Sequence, residues 1–293
     1  MVGYYLREED GWQCTIEQLK ATVQESRDNG QCPRAIVVIN PGNPTGQVLE
    51  KQTLEAIVRL CSEENLVLVA DEVYQCNVYA EGKEFISFKR IVREMGETGD
   101  KVPLLSMNSI SKGFFGECGR RGGYMECVNF PAGVKDQLYK LASINLCPNL
   151  NGQICIAMVM KPPEKGDPSF ELYEKEKTDI LESLKRRAKM VVSSLQKLEG
   201  ITCNEVEGAL YAFPRLKLPE KRIQEASKEG KAADFIYCMA LLDKTGIVTV
   251  PGSGFGQESD TLHLRTTILP SEQDMEDLTK RWRDFHMSYL SDS

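Results

Sequence analysis

Along the first half of the chain, short unbroken apolar runs alternate with stretches whose apolar residues recur every three or four positions. Ala35-Ile36-Val37-Val38-Ile39 is apolar throughout and ends at a Pro/Gly loop, which predicts a buried strand. Residues 50–64 follow with Leu54, Ile57, Val58 and Cys61 at helical spacing. Leu66-Val67-Leu68-Val69-Ala70 predicts the next strand, residues 102–107 a third, and Gly123-Tyr124-Met125-Glu126-Cys127-Val128 a fourth. Continuous Val/Ile/Leu strands separated by helices imply an α/β fold, a mostly parallel sheet sandwiched by helices.

The texture changes at Pro162-Pro163-Glu164-Lys165-Gly166-Asp167-Pro168, a loop or a domain boundary. Residues 169–198 then read as a long charged helix with Leu181, Leu184, Ala188 and Val191 as its apolar stripe. Strands are expected near Ile201-Thr202-Cys203, Ala209-Leu210-Tyr211-Ala212-Phe213, Val248-Thr249-Val250 and residues 262–267, with helices over 232–244 and 271–290. That order predicts a smaller α+β domain over residues 166–293, after a sheet domain over residues 1–165.

At 293 residues and 41% hydrophobic, the chain is long enough to bury a sizeable core. Its formal net charge is −7 and it has no basic tract, which argues against a nucleic-acid partner. No apolar run approaches membrane-spanning length. Residues 1–9 lack the layout of a secretory signal and are too acidic for a typical transit peptide. The terminal Ser291-Asp292-Ser293 is not a peroxisomal ending. The expected compartment is cytoplasmic, or organellar if a transit peptide precedes Met1. Ten scattered cysteines without Cys-x-x-Cys pairs suit reduced thiols. With His263 and His286 the only histidines, no metal site is expected.

Polar groups cluster after the predicted strands. Asn40-Pro41-Gly42-Asn43-Pro44-Thr45-Gly46 follows the first, Asp71-Glu72-Val73-Tyr74 the second, and Ser109-Ile110-Ser111-Lys112-Gly113 the third. In parallel sheets, ligands gather beyond the carboxyl ends of strands, so Asn40, Asp71 and Ser109 point to one crevice. Gly119-Arg120-Arg121-Gly122-Gly123 and Leu262-His263-Leu264-Arg265 complete the set. In this order the parts suit pyridoxal phosphate and an amino acid. Asp71 is either a turn carboxylate or the partner of a cationic ring nitrogen. Tyr74 is a core tyrosine or a donor to the ring's phenolic oxygen, and Asn43 a turn residue or a donor to that oxygen. Lys112 is a solvated charge or a reactive amine, with glycines at 113 and 116 allowing close approach. Arg121, Ser109 and Ser111 are a solvated turn or a phosphate site. Arg265, in an otherwise apolar strand, is an edge residue facing water or a bidentate clamp for a carboxylate. The loop Pro251-Gly252-Ser253-Gly254-Phe255-Gly256 before it favours the clamp; no Gly-Lys-Ser/Thr follows, so it is not a P-loop.

These segments resemble the class-I, fold-type-I pyridoxal phosphate aminotransferases over nearly the whole chain. Ala70-Asp71-Glu72-Val73-Tyr74-Gln75, Ser111-Lys112-Gly113, Gly116-Glu117-Cys118-Gly119, Arg121-Gly122-Gly123-Tyr124-Met125-Glu126 and Pro251 to Gln257 are similar to the branch that exchanges amino groups between L-alanine and 2-oxoglutarate. The resemblance implies pyridoxal 5′-phosphate as cofactor, amino acids and 2-oxo acids as small-molecule partners, and a homodimer. It makes Lys112 the catalytic lysine and the cofactor's covalent anchor. Asp71 would pair with the ring nitrogen, Asn43 and Tyr74 with the phenolic oxygen, and Ser109, Ser111 and Arg121 with the phosphate. Arg265 would bind the substrate carboxylate. Alternatives are a glutamate–glyoxylate transaminase, a lyase of the aminocyclopropane-carboxylate synthase type, and a non-catalytic fragment. Members of the family begin considerably further upstream. Residues 1–165 are therefore expected to be the C-terminal part of the large domain. A phosphate-cupping loop, a ring-stacking aromatic and a tyrosine reaching the neighbouring subunit find no counterpart here. Weak cofactor binding, weak activity and exposed sheet edges are the expected consequences.

Overall fold

A computed structural model describes residues 1–291, so Asp292 and Ser293 of the terminal tripeptide lie outside the described residues. Helix α1 (Ile16–Asp28) opens with a capping box: the Thr15 hydroxyl accepts from the Gln18 N–H, and the Gln18 side chain accepts from the Thr15 N–H. Strand β1 (Ala35–Ile39), helix α2 (Lys51–Glu64), strand β2 (Val67–Asp71), helices α3 (Phe88–Glu94) and α4 (Glu97–Asp100), and strands β3 (Leu104–Ser109) and β4 (Gly123–Val128) follow. The four strands form one sheet in the order β1-β2-β3-β4.

β1, β2 and β3 are parallel, with Ala35 opposite Val67 and Leu68 opposite Leu104. β4 departs from that direction and pairs antiparallel with β3, Ser109 opposite Gly123. Residues 110–122 contain only a short 3-10 turn. Without a crossover helix the chain returns antiparallel. α1, α2 and α3 supply the apolar cover of one face, where Ile36, Val38, Leu68, Ala70 and Leu104 pack with Leu54, Ile57, Phe88 and Ile91. The faces are unequally covered: on β1 the alternate positions Ala35 and Val37 are exposed.

Helices α5 (Ala132–Ser143) and α6 (Leu150–Val159) come next. α6 has no apolar stripe, so hydrophobic periodicity gave no sign of it. The long α7 (Phe170–Leu195) then buries Leu184, Ala188, Val191 and Leu195 at the predicted spacing. β5 (Ile201–Thr202), β6 (Tyr211–Ala212) and β7 (Arg215–Leu216) are two-residue strands. α8 (Glu220–Lys228), α9 (Ala233–Thr245), β8 (Val250–Pro251), β9 (Leu264–Thr267) and α10 (Glu272–Ser291) complete the order. β5 pairs with β7, and β9 lies between β6 and β8.

A second core gathers Leu195, Tyr237, Leu241 and Trp282, and Tyr74 and Tyr79 from the first half join it. The loop after β2 is therefore anchored among residues of the C-terminal half. That anchoring places the groups that follow Asp71 against β6 and β9.

Candidate active site

β1, β2 and β3 run in parallel, so the loops at residues 40–47, 72–77 and 110–116 leave the sheet at the same ends of their strands. A fourth segment docks on two of these loops. The Gly208 N–H donates to the Gly46 carbonyl at 2.7 Å, the Ala209 N–H to the Asn77 carbonyl at 3.0 Å, and the Tyr79 hydroxyl to the Ala209 carbonyl at 2.8 Å. A Cβ at position 208 would sit 2.5 Å from the Asn77 carbonyl oxygen, so only glycine permits this approach. The docking delivers Tyr211, at the start of β6, into the site.

Lys112 Nζ donates to the Tyr211 hydroxyl at 3.3 Å, and the Tyr74 hydroxyl donates to the same oxygen at 3.3 Å. The Arg265 guanidinium lies 4.4 Å from the centre of the Tyr211 ring and 5.0 Å from that of Phe255. Arg265 Nη1 donates to Asn43 Oδ1 at 3.1 Å. Lys112, Tyr74, Arg265 and Asn43 thus converge around one residue that the sequence reading did not single out. Its only signal was a tyrosine inside a short apolar run. Phe255 was visible only as part of a glycine-rich loop.

The electrostatics follow from the packing. Burial opposes ionisation of the Tyr211 phenol. Hydrogen bonds from Tyr74 and Lys112, with the charges of Lys112 and Arg265, outweigh it and hold Tyr211 below the usual tyrosine range. Burial pushes Tyr74 up, reinforced by its bond to Tyr211 and by the charge of Asp71. Tyr74 is both things considered for it: a core side chain and a hydroxyl directed at the site.

Asp71 is the last residue of β2, and its Oδ1 accepts the Val73 N–H at 3.3 Å. Ser109 Oγ donates to the Gly122 carbonyl at 3.1 Å and accepts the Ser111 N–H at 3.0 Å. Arg121 stands apart: exposed and at φ 54°, it turns its guanidinium back to the Cys118 carbonyl at 2.8 Å. Its loop is braced by Asn149 Nδ2, which donates to the Arg120 carbonyl at 2.7 Å. Asn40 does not point to the crevice as expected. It is fully buried, and its Oδ1 accepts the Leu49 N–H at 2.9 Å, bracing its own loop. For Arg265 the edge-strand alternative is removed, because β9 is the middle strand of its sheet.

Pyridoxal phosphate is the cofactor that the resemblance implies, and the donor set suits most of it. Among the described residues no carboxylate lies within ion-pair distance of the Lys112 amine. Asp71 is a carboxylate that would suit a cationic ring nitrogen, and Tyr74 and Asn43 are polar groups that would suit a phenolic oxygen. Ser109 and Ser111 lie together, whereas Arg121 is turned away onto Cys118 and would have to leave it to join them. A cavity of about 500 Å³ opens beside Asn43 and Phe255 and runs toward Glu8 and His263. It borders the Lys112 cluster without including Lys112, Tyr74 or Tyr211, so the polar cluster rather than the cavity marks the chemistry.

The chain is similar to known proteins along nearly its whole length. The family model of class I and II aminotransferases matches residues 1–281. A probable mitochondrial alanine aminotransferase of Dictyostelium discoideum is 52% identical over 291 residues, 99% of this chain and 54% of that protein. Alanine aminotransferase 2 of Panicum miliaceum is 51% identical, over 100% of this chain and 61% of its own length. Among solved structures, an alanine aminotransferase from Pyrococcus furiosus is 28% identical with a TM-score of 0.79, covering 97% of this chain and 64% of that one. The chain therefore spans little more than half the length of the curated relatives it matches. From its sequence match and its fold alike, the chain belongs to the class I and II aminotransferases.

Proposed function

We propose that this chain carries the reactive lysine and the substrate-carboxylate site of an enzyme that moves an amino group reversibly between L-alanine and 2-oxoglutarate, giving pyruvate and L-glutamate. The identity of about half its residues with proteins named alanine aminotransferases supports the reading. The observation that carries it is the Lys112 amine, free of any carboxylate partner among the described residues, set against the Tyr74–Tyr211 pair with Arg265 stacked on the same ring.

Bound pyridoxal phosphate would supply an electron-withdrawing ring that makes the substrate Cα–H acidic. Lys112 would hold it, and the Lys112 Nζ would serve as the base for the Cα proton and as the acid that returns one. Asp71 would keep the ring nitrogen cationic. Tyr74 and Asn43 would hold the phenolic oxygen, while Ser109, Ser111 and Arg121 would take the phosphate. Arg265 pairs with the substrate carboxylate through two parallel N–H donors. Asn43 accepts from Arg265 Nη1 and so fixes the guanidinium plane.

Exposed apolar side chains on and beside α5 and α6, among them Tyr139, Ile144, Leu146 and Leu150, support a second copy of the chain as partner. Among the described residues no helix is long and apolar enough to cross a membrane. A cytoplasmic compartment remains our reading; the Dictyostelium relative is named as mitochondrial.

The test supplies the protein with pyridoxal phosphate, L-alanine and 2-oxoglutarate and measures pyruvate, with glyoxylate as competing acceptor. Borohydride reduction and peptide mapping locate the anchored amine. Label on Lys112, and loss of at least about a hundredfold in turnover for Lys112→Ala, are expected. Label on another lysine, or full turnover by the variant, sinks the reading.

A further inference from the structure

A chain of polar groups, built on the buried Asp234 and His263, links the glycine-rich loop before β9 to the N-terminal segment. Asp234, fully buried at the start of α9, accepts the Ser253 N–H at 2.7 Å and Gln257 Nε2–H at 2.9 Å through Oδ2, and the Phe235 N–H at 2.8 Å through Oδ1. A carboxylate only accepts, so the Gln257 amide is oriented with its nitrogen toward Asp234. Its Oε1 then faces His263 Nδ1 at 3.0 Å. On the other side of the ring, His263 Nε2 lies 3.1 Å from Glu8 Oε2, which also accepts from Arg215 Nη1 at 3.2 Å. The imidazole thus lies between two acceptor oxygens, one on each side of the ring. The ring itself is wedged flat on Phe213 at 4.9 Å, with the edge of Trp12 at 5.4 Å.

We propose that His263, held between Gln257 and Glu8, is a positioning residue that latches the loop at residues 252–257 and so keeps Phe255 packed on the Arg265 guanidinium. Two further observations point the same way. The Gly252 N–H donates to the His263 carbonyl at 2.7 Å, and a Cβ at position 252 would meet Gln257 Oε1 at 2.2 Å and His263 Cβ at 2.7 Å. Gly252 is thus required by the closeness of the latch itself. Phe255 also meets Phe213 edge-on at 5.8 Å, so the ring that supports His263 supports Phe255. The latch acts on substrate only through Arg265, and its effect on affinity rests on the reading of Arg265 as the carboxylate clamp.

The test has two arms on the same chain. Hydrogen–deuterium exchange of residues 252–257 reads the latch without turnover, and steady-state kinetics with alanine read its reach to substrate. His263→Phe keeps an aromatic ring on Phe213 and removes both hydrogen bonds; Glu8→Leu removes one acceptor, and Glu8→Gln restores an amide oxygen in its place. Each bond lost is worth about a factor of ten. Glu8→Leu should therefore speed exchange of the loop about tenfold and His263→Phe up to about a hundredfold, and both should raise the KM for alanine severalfold with little change in kcat. Glu8→Gln should stay close to the parent in both arms. Unchanged loop exchange in both His263→Phe and Glu8→Leu overturns the latch. Faster exchange with unchanged KM overturns its reach to substrate. An Arg265→Lys variant that also leaves KM unchanged assigns that failure to the clamp reading, with the latch on the loop intact.

Discussion

At the scale of single residues, the site is built from side chains whose neighbours decide their chemistry. Glu72 shows this next to Asp71. Its carboxylate is buried, accepting the Phe88 N–H at 2.7 Å and the Ser106 hydroxyl at 2.5 Å. Burial holds its carboxyl above the usual glutamate range, against those two hydrogen bonds, which favour the anion. The folded state then binds this proton more tightly than the unfolded chain. Its contribution to stability is present at acid pH and is lost as pH rises through the raised value. Glu72→Gln keeps an acceptor for the Phe88 N–H, and its amide nitrogen can donate to the Ser106 hydroxyl. The variant should unfold at higher urea than the parent at mildly alkaline pH, and the gap should close as the pH falls into the acid range. A gap that does not change with pH refutes this account. Glu72 itself was quoted from the sequence only as part of a motif; nothing in spacing shows that a carboxylate will be buried.

Between elements, placement depends on short approaches that only particular residues allow. The segment bearing Tyr211 reaches Lys112 because Gly208 lies flat against Asn77. Gly208→Ala must push that backbone away from the Asn77 carbonyl, an overpacking cost of about 1–3 kcal/mol. We expect a lower unfolding midpoint together with weaker cofactor retention, measured by dialysis. Retention equal to the parent would show that Tyr211 is positioned by other contacts. The elements themselves were largely readable: β1 and β4 lie where the apolar runs placed them, and α2, α7, α9 and α10 fall within a few residues of expectation. The direction of β4 was not readable, because residues 110–122 could have held a crossover and do not.

For the whole molecule, two apolar cores are joined by the loop after β2, with Tyr74 and Tyr79 embedded in the second. We propose residues 1–165 and 166–293 as two domains. The exposed segment around residues 160–168 carries few buried groups, and exposed backbone of this kind is where proteases act first. Limited proteolysis should cut there before it cuts β1–β3 or α7, leaving two fragments that co-elute because the Tyr74 loop and residues 207–211 stay docked. First cleavage inside α7 would refute the division. The unequal cover of the sheet, with Val37 54% and Met125 46% exposed, is a second property of the whole that no local pattern carried.

The sequence by itself determined most of the parts: short apolar runs bounded by turn residues, helical stripes, and a lysine, an aspartate and an arginine spaced along loops that follow strands. Local pattern suffices there because strand and helix burial repeat at fixed periods. The tertiary structure alone decided how those parts meet. It made Tyr211 the hub, since a contact between residues 112 and 211 leaves no trace in periodicity. It put β9 in the middle of its sheet, which removed the sheet-edge alternative for Arg265 and left it half-buried against Tyr211 and Phe255. It turned Asn40 into a brace and swung Arg121 onto Cys118. Each of these depends on which segment of chain lies alongside another, and that is settled by long-range packing rather than by neighbours in sequence.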